Sequence, residues 1–338
     1  MIMDKENWES FVEGFHVVGG AIGFDNSRYC FLLEEDGENL HRDPPPDLRL
    51  LYARMERSLE EGRFFSADFN DFDFTSLCYG VTAGIEEFVA VDRHGDTIVY
   101  GAWENELDVR VEKPAIDTSW HDGEQRASIP RVKRVNGRIY AVCRDRLLLE
   151  RRGPRQWVEF PGLERPKELL DEETYPLDFG FNDLDAFGES DVYAVGGSGD
   201  VWRYDGKLWK RCDFPSNERL RTVCCAGDGN VYISGNMGSL WTGRGDRWKK
   251  LADGEHTVSF NDTVWFAGRL WCANDYGLFD LGDKGFEPAQ VPADTQLTAR
   301  RLDVSPDGTR LLSAGNHGAS VFDGKEWQLL FSDLDMDD

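Results

Sequence analysis

The sequence has no uninterrupted apolar run of about 18 residues, so it predicts no membrane-spanning helix. Its first residues, Met1 to Trp8, contain no basic segment followed by an apolar stretch, and we therefore expect no secretory signal and a cytoplasmic location. Cysteine is scarce: seven residues, an odd number at irregular spacing without a CxxC pair. This pattern predicts free, buried thiols in place of disulfides or a zinc site.

Basic residues are also few: the sequence has 38 Lys and Arg against 63 Asp and Glu, which gives a net charge of −25. A surface of this sign repels nucleic acid and anionic membrane, so we expect neither as a partner. It attracts basic proteins and speeds encounter with them, although solubility alone also accounts for an acidic composition.

Motifs for catalysis are missing. The sequence has no GxSxG, HExxH, P-loop or EF-hand pattern, and its six histidines are scattered without ligand spacing. The loop Gly196–Gly199 is glycine-rich but follows a strand-like run and does not open a helix, so it is interpreted as a turn. The sequence thus predicts no enzyme, no cofactor and no metal site.

What is present is a repeat of about 40 residues, the spacing of β-propeller blades. Four segments that begin at residues 191, 230, 269 and 309 share two apolar runs around a Gly/Asn loop, then a glycine turn and an aromatic residue. The turn is clearest in Asp205-Gly206 before Trp209 and in Asp323-Gly324 before Trp327. Because Asp-Gly tolerates positive φ, we expect a tight antiparallel hairpin there, with the aromatic residue at the start of an outer strand.

One further strand-like run precedes each unit, so the sequence predicts an all-β fold: a β-propeller of four-stranded antiparallel blades. We expect seven blades, with six as the alternative, forming a single domain over residues 1–338. The predicted blades cover roughly residues 11–40, 69–112, 131–161, 181–213, 220–253, 259–290 and 298–332. A short helical insertion is expected near 47–61, ending at Gly62, since Leu, Tyr and Met recur there at roughly helical spacing. A loop insertion rich in Pro and acidic residues is expected over 162–180.

The segment DVYAVGG, followed by VWRYDG and Trp209, resembles bacterial propeller repeats of the WD40 or Kelch class that lack a strict WD signature. Ser305-Pro306-Asp307-Gly308-Thr309 is similar to the turn between the first two strands of many such blades. The resemblance covers about 260 residues and implies the fold. Short propellers of this kind also resemble immunity proteins that accompany polymorphic, Rhs-type and type VI secretion toxins, which implies a toxin-binding function.

A Phe-Asn-Asp triplet occurs three times, and its acidic residues are Asp71, Asp183 and Asp262. The spacing predicts equivalent positions on the rim of three blades. One interpretation is structural, with Asn and Asp bonding the backbone where a strand begins. The other is an acidic ring at the channel mouth that holds a cation or a basic side chain.

Acidic and aromatic residues alternate over Asp68–Asp73 in a way that suits a protein interface. The further rim and loop candidates for partner binding are Asp68, Phe72, Asp73, Asp185, Asn236, Asn274, Asp275, Tyr276 and His317. We therefore expect a chain that is monomeric when free and binds a basic toxin domain, such as a nuclease, to block its active site. The alternatives are a general interaction scaffold and a glycoside hydrolase or lyase that uses rim carboxylates.

Overall fold

The computed structural model describes residues 2–37, 45–103, 106–113, 119–120, 125–126, 128–163, 179–254, 258–282 and 285–336. In this part of the chain, seven sheets each contain four consecutive strands in antiparallel order. The first strand of each sheet contacts the first strand of the next, and that of the seventh contacts that of the first. The ring is therefore closed, and the fold is a seven-bladed β-propeller with the first strands innermost.

The strands, from first to fourth in each blade, have the following bounds. Blade 1 contains Phe15–Gly23, Arg28–Glu35, Leu48–Arg54 and Phe64–Phe69, and blade 2 contains Ser76–Thr82, Ile85–Val91, Thr97–Trp103 and Glu106–Glu112. Blade 3 contains Arg131–Val135, Arg138–Val142, Leu148–Gly153 and Gln156–Glu159, and blade 4 contains Asp183–Gly188, Asp191–Gly196, Asp200–Tyr204 and Trp209–Arg211. Blade 5 contains Leu220–Cys225, Val231–Gly235, Ser239–Arg244 and Arg247–Asp253. Blade 6 contains Asp262–Phe266, Arg269–Asn274, Gly277–Gly282 and Gly285–Pro288, and blade 7 contains Arg301–Val304, Leu311–Gly315, Gly318–Phe322 and Trp327–Ser332.

Short elements connect the blades. A helix at Lys5–Phe11 precedes blade 1, a second helix at Ala293–Leu297 precedes blade 7, and a small hairpin pairs Ser119–Trp120 with Gln125–Arg126. Single 3₁₀ turns lie at Asn236–Gly238 and Asp333–Asp335.

The N-terminal segment strengthens the ring closure. The Ile2 amide donates to the Leu330 carbonyl on the fourth strand of blade 7, at 2.8 Å, and the Ile2 side chain is buried between blades 7 and 1. The Arg63 guanidinium of blade 1 donates to the Ile2 carbonyl at 3.1 Å. The start of the chain therefore ties together the two blades at which the ring closes.

The helix expected near 47–61 is not formed, and that prediction was wrong. Leu48–Arg54 is the third strand of blade 1, and it is followed by a turn and the fourth strand. Leu51 packs into the core between blades 7 and 1, whereas Leu50 and Tyr52 pack between blades 1 and 2. A strand buried on both faces has a continuous apolar run, which spacing alone cannot distinguish from a buried helix. Blade 1 consequently extends to Phe69, well beyond residue 40.

The predicted hairpins are confirmed. Asp205 accepts the amide hydrogens of Lys207 and Leu208 at 3.0 and 3.1 Å, and Gly206 has φ of +90°. The outer-strand aromatics pack on the preceding blade: Trp209 lies edge-on to Phe160 at 5.4 Å between ring centroids. The seven cysteines are free thiols, and all except the half-buried Cys225 are buried. Most of the expected loop insertion, residues 164–178, lies outside the described residues.

A candidate binding face and the mouth of the channel

All seven blades present the same two kinds of loop on one face of the propeller. In the described residues, the fourth strands end and the first strands begin at this face, and the second strands end and the third strands begin there too. We call it the loop face. The candidate residues predicted from sequence lie in these loops or at the ends of the strands next to them, apart from Asp185, which lies deeper in the channel.

Six of these candidates are exposed on the loop face: Asp68, Asp71, Asn236, Asp275, Tyr276 and His317. Asp73 is half-buried and pairs with Arg93 at 2.7 Å. Two others do not reach the surface. Phe72 is 4% exposed, with the Lys113 ammonium 4.4 Å from its ring centroid, and Asn274 is 2% exposed, with its amide oxygen accepting from the Tyr276 amide.

The Phe-Asn-Asp triplets do not occupy equivalent positions on three blades, so that prediction was wrong. Asp183 and Asp262 are the first residues of first strands, in blades 4 and 6. Phe69, by contrast, pairs with Leu48 as the last residue of the fourth strand of blade 1, and Asp71 lies in the following bend with φ of 65°. The same three letters arise at the end of one strand and at the start of two others, because short triplets do not fix a register.

Asp183 and Asp262 meet a single arginine inside the channel. Arg131, the first residue of blade 3, places its Nη1 atom 2.9 Å from Asp183 Oδ1 and 3.2 Å from Asp262 Oδ1. The Lys133 ammonium lies 3.0 Å from the same Asp183 oxygen. Nearby, Arg134 contacts Asp303 at 3.3 Å. We call Arg131, Lys133, Arg134, Asp183, Asp262 and Asp303 the inner ion-pair network.

The carboxylates of this network also join neighbouring blades. Asp183 accepts the Val223 amide at 2.9 Å, Asp262 accepts the Leu302 amide at 3.3 Å, and Asp303 accepts the Ile22 amide at 2.8 Å. In each case the donor belongs to the first strand of the next blade, and Asp185 does the same with the Cys225 amide at 2.7 Å. These contacts fit the structural interpretation of the acidic residues. They do not favour a glycosidase, whose carboxylates must reach a substrate.

The electrostatics agree with the geometry. Burial alone raises the pKa of Asp183, but Arg131 and Lys133 outweigh it and hold that pKa below its ordinary value. Burial raises the pKa of Asp185, and it raises that of Asp303 against the opposing effect of Arg134. The inner ion-pair network is therefore tightest around Asp183, where two cations share one carboxylate.

Sequence reasoning missed the basic residues at the mouth of the channel. A cavity of about 400 Å³ opens on the loop face above the inner ion-pair network. Its lining includes one acidic residue, Glu34, and six arginines: Arg93, Arg131, Arg144, Arg221, Arg300 and Arg301. We call this space the mouth cavity. The sequence did contain an indication of these basic residues. Arg93 and Arg144 follow the second strands of blades 2 and 3, and the equivalent positions of blades 4 and 5 hold Gly or Asn.

Exposed apolar side chains are also present on the loop face. Of the nine large apolar residues exposed in the described ranges, five lie in the connections on this face: Phe74, Met237, Tyr276, Leu297 and Leu334. Tyr276 is 77% exposed and Met237 is 55% exposed. Four of the five lie on adjacent blades, from Met237 in blade 5 to Leu334 after blade 7. Aromatic and Met side chains of this kind are enriched at protein interfaces.

His94 and His317 lie in the second-to-third-strand loops of blades 2 and 7, as expected, and His317 pairs with Asp333 at 2.8 Å. His41, His121 and His256 lie outside the described residues, as do Asp337 and Asp338 of the acidic C-terminal end. Within the described residues, no group of three or more His, Cys, Asp or Glu side chains is placed to hold a metal ion. None of the helices described there is long and apolar enough to cross a membrane.

Comparison with solved structures supports the β-propeller fold. The WD40 β-propeller domain of Doa1 aligns with 90% of this chain and 95% of its own, with a TM-score of 0.50 and 11% identity, which shows the fold. A structure described as YCF48 bound to D1 peptide aligns over 72% of this chain and 77% of its own, with a TM-score of 0.44 and 14% identity. No family model matches the sequence.

A curated protein, the immune protein Tsi7 of Pseudomonas aeruginosa, is 29% identical to this chain over 193 residues. The match covers 57% of this chain and 61% of Tsi7, so the chain spans less than two thirds of that relative. The protein is thus a seven-bladed propeller with sequence similarity to an immune protein.

Proposed function

We propose that this chain is an immunity protein that binds a bacterial toxin through the loop face and blocks the toxin's active site. The observation that carries the proposal is that five of the nine large apolar side chains exposed in the described residues, among them Tyr276 and Met237, lie on that face. Exposed aromatic and Met side chains are enriched at protein interfaces. The similarity to Tsi7, described as an immune protein, supports a toxin as the partner.

The partner in this proposal is a basic protein domain. The chain carries a net charge of −25, and Asp68, Asp71 and Asp275 are exposed on the loop face. Complementary charge accelerates encounter and adds specificity. A nuclease toxin fits because its own surface must bind phosphates. Binding takes place in the cytoplasm and involves no chemistry by this chain, since the carboxylates of Asp183 and Asp262 are already paired with Arg131.

The first experiment identifies the partner and tests neutralisation. The tagged chain is recovered from its native cell, and a stoichiometric protein that leaves it at high salt is cloned. That protein alone should arrest the growth of a host, and co-expression with this chain should restore growth. Failure of the co-purified protein to arrest growth, or failure of this chain to restore it, contradicts the proposal.

The second experiment tests the face. Tyr276→Ala combined with Met237→Ala should weaken binding by roughly 2 kcal/mol or more, about thirtyfold, because hot spots are buried aromatic and apolar anchors. The matched control is Leu208→Ala, since Leu208 is 46% exposed in a turn on the opposite face. Equal affinity of the double variant and the control would exclude blades 5 and 6 of the loop face from the interface.

A further inference from the structure

The mouth cavity brings together basic side chains from separate blades. Arg93 comes from blade 2, Arg131 and Arg144 from blade 3, Arg221 from blade 5, and Arg300 and Arg301 from blade 7. Repulsion opposes such convergence of like charges unless anions balance them. Among the described residues that line this cavity, only Glu34 supplies a carboxylate.

Some of these arginines already have partners. Arg131 is paired with Asp183 and Asp262, Arg93 is paired with Asp73, and Arg300 donates to the Asn316 side chain at 2.8 Å. Arg301 donates to the backbone carbonyl of Asn261 at 2.6 Å. These contacts fix the lower edge and part of the wall of the cavity.

Arg144 and Arg221 differ from the other four, each of which contacts a carboxylate or a backbone carbonyl. Among the described residues, neither has a carboxylate oxygen within 4.0 Å. Arg221 Nε donates to the Asn236 side-chain oxygen at 3.3 Å, and Arg144 Nε is buried without a hydrogen-bond partner. A buried donor without an acceptor is unfavourable, and an incoming acceptor removes that penalty.

The lowered pKa values of these arginines also indicate positive charge without enough nearby carboxylates. Burial lowers the pKa of Arg144, and the charges of Arg219 and Arg221 lower it further. Burial and the neighbouring Arg131 lower the pKa of Arg301 to about 10. The protonated arginines therefore lie in a positive potential that the described protein groups only partly balance.

We propose that the mouth cavity binds a compact oxyanion, a carboxylate or phosphate group, held chiefly by Arg144 and Arg221. Guanidinium groups bind both kinds of anion through paired N–H donors. A volume of about 400 Å³ lies within the range of small-molecule sites. The net charge of −25 around it disfavours long polyanions such as nucleic acid, so a small anion or a single acidic side chain is the group that fits. The site does not depend on the proposed immunity function.

The test uses the full chain and two probes, inorganic phosphate and citrate. Calorimetric titration at constant ionic strength, balanced with chloride, measures specific binding apart from general screening. We expect saturable binding of at least one probe by the wild-type protein. Arg144→Gln and Arg221→Gln should each weaken it roughly tenfold or more, because each removes a charged donor pair. Arg247→Gln, at an exposed strand start next to a turn on the opposite face, removes the same charge and should leave binding unchanged.

Two results would overturn the proposal. One is no binding of either probe at millimolar concentration by the folded wild-type protein. The other is an equal loss of affinity in Arg247→Gln and Arg144→Gln, which indicates a general charge effect. Circular dichroism confirms that each variant is folded, and Arg221→Gln keeps the test decisive if Arg144→Gln fails to fold.

A competition experiment separates the two sources of the anion. If phosphate or citrate displaces the protein partner at constant ionic strength, the cavity receives an acidic side chain of that partner. If the anion and the partner bind together, the site belongs to a small molecule. Either result presupposes anion binding in the mouth cavity, and neither requires the partner to be a toxin.

Discussion

Two layers of the central channel use the same residue types in different ways. In the inner ion-pair network, Arg131 and Lys133 lie within 3.2 Å of carboxylates that also accept amides from the next blade. In the mouth cavity just above, Arg144 and Arg221 have no carboxylate within 4.0 Å in the described part of the chain. Arg131 belongs to the inner ion-pair network and also lines the mouth cavity.

The difference separates residues that hold the ring together from residues that are available to a ligand. A charged side chain whose hydrogen bonds are completed inside the protein contributes to the stability of the folded state. Removing it leaves its partner buried and unpaired. A charge without an internal counterion contributes little to folding and gains most when an anion arrives. Substitutions in the two layers should therefore act on different measurements.

The largest expected effect is that of Arg131→Met. The change leaves Asp183 and Asp262 buried without the cation they share, which costs about 3–5 kcal/mol in the free energy of unfolding. Urea denaturation followed by tryptophan fluorescence measures it. The control Arg247→Gln should stay within about 0.5 kcal/mol of wild type. A loss for Arg131→Met as small as that of the control would mean that the network does not stabilise the ring.

A smaller loss is expected for Lys133→Met. Asp183 then loses the ammonium group at 3.0 Å but keeps both Arg131 and the Val223 amide. Removing one charged hydrogen bond of this kind costs about 1.5–3 kcal/mol. The same denaturation experiment should place this variant between wild type and Arg131→Met, and a loss equal to that of Arg131→Met would show that Lys133 is not the secondary partner.

In the mouth cavity, Arg144→Gln should leave the free energy of unfolding unchanged or raise it, with no loss beyond about 0.5 kcal/mol. The reason is that Arg144 lies near Arg219 and Arg221, and its Nε donor is buried without an acceptor. Thermal denaturation in chloride buffer, without phosphate or citrate, measures this. A large destabilisation would place Arg144 with the inner ion-pair network and would erase the contrast between the layers.

Much of the fold could be predicted from sequence because the information is local. The Asp-Gly turns at Asp205 and Asp323, and the aromatics Trp209 and Trp327 that follow, specify hairpins within a few residues. Blade 1 was missed in part because Leu48–Arg54 is buried on both faces and carries no alternating pattern. Its turn residues also lack the Asp-Gly step of the later blades.

The candidate site was less predictable because its contacts are distant in sequence. The repeat register placed the candidate loops on one face, but it did not show that Arg131 crosses the channel to Asp262, 131 residues away. Nor could the repeat register show that the Asp183 side chain is buried and is not exposed at the mouth of the channel. Only Arg93 and Arg144, at a position held by Gly or Asn in blades 4 and 5, indicated a basic mouth.

A pH dependence should distinguish two acids of the inner ion-pair network. Burial raises the pKa of the Asp303 carboxyl, so the folded state binds a proton there more readily than the unfolded state does. The free energy of unfolding therefore grows as the pH falls from above the raised pKa towards the unfolded value near 4. The free energy of unfolding of wild type minus that of Asp303→Asn should therefore increase as pH is lowered from 7 to about 4.5. Arg131 and Lys133 lower the pKa of Asp183 despite its burial, so the corresponding difference for Asp183→Asn should stay level over that window and decrease only below about pH 4. Urea denaturation at a series of pH values measures both differences, and parallel curves for the two variants would contradict the opposite environments assigned to these carboxyls.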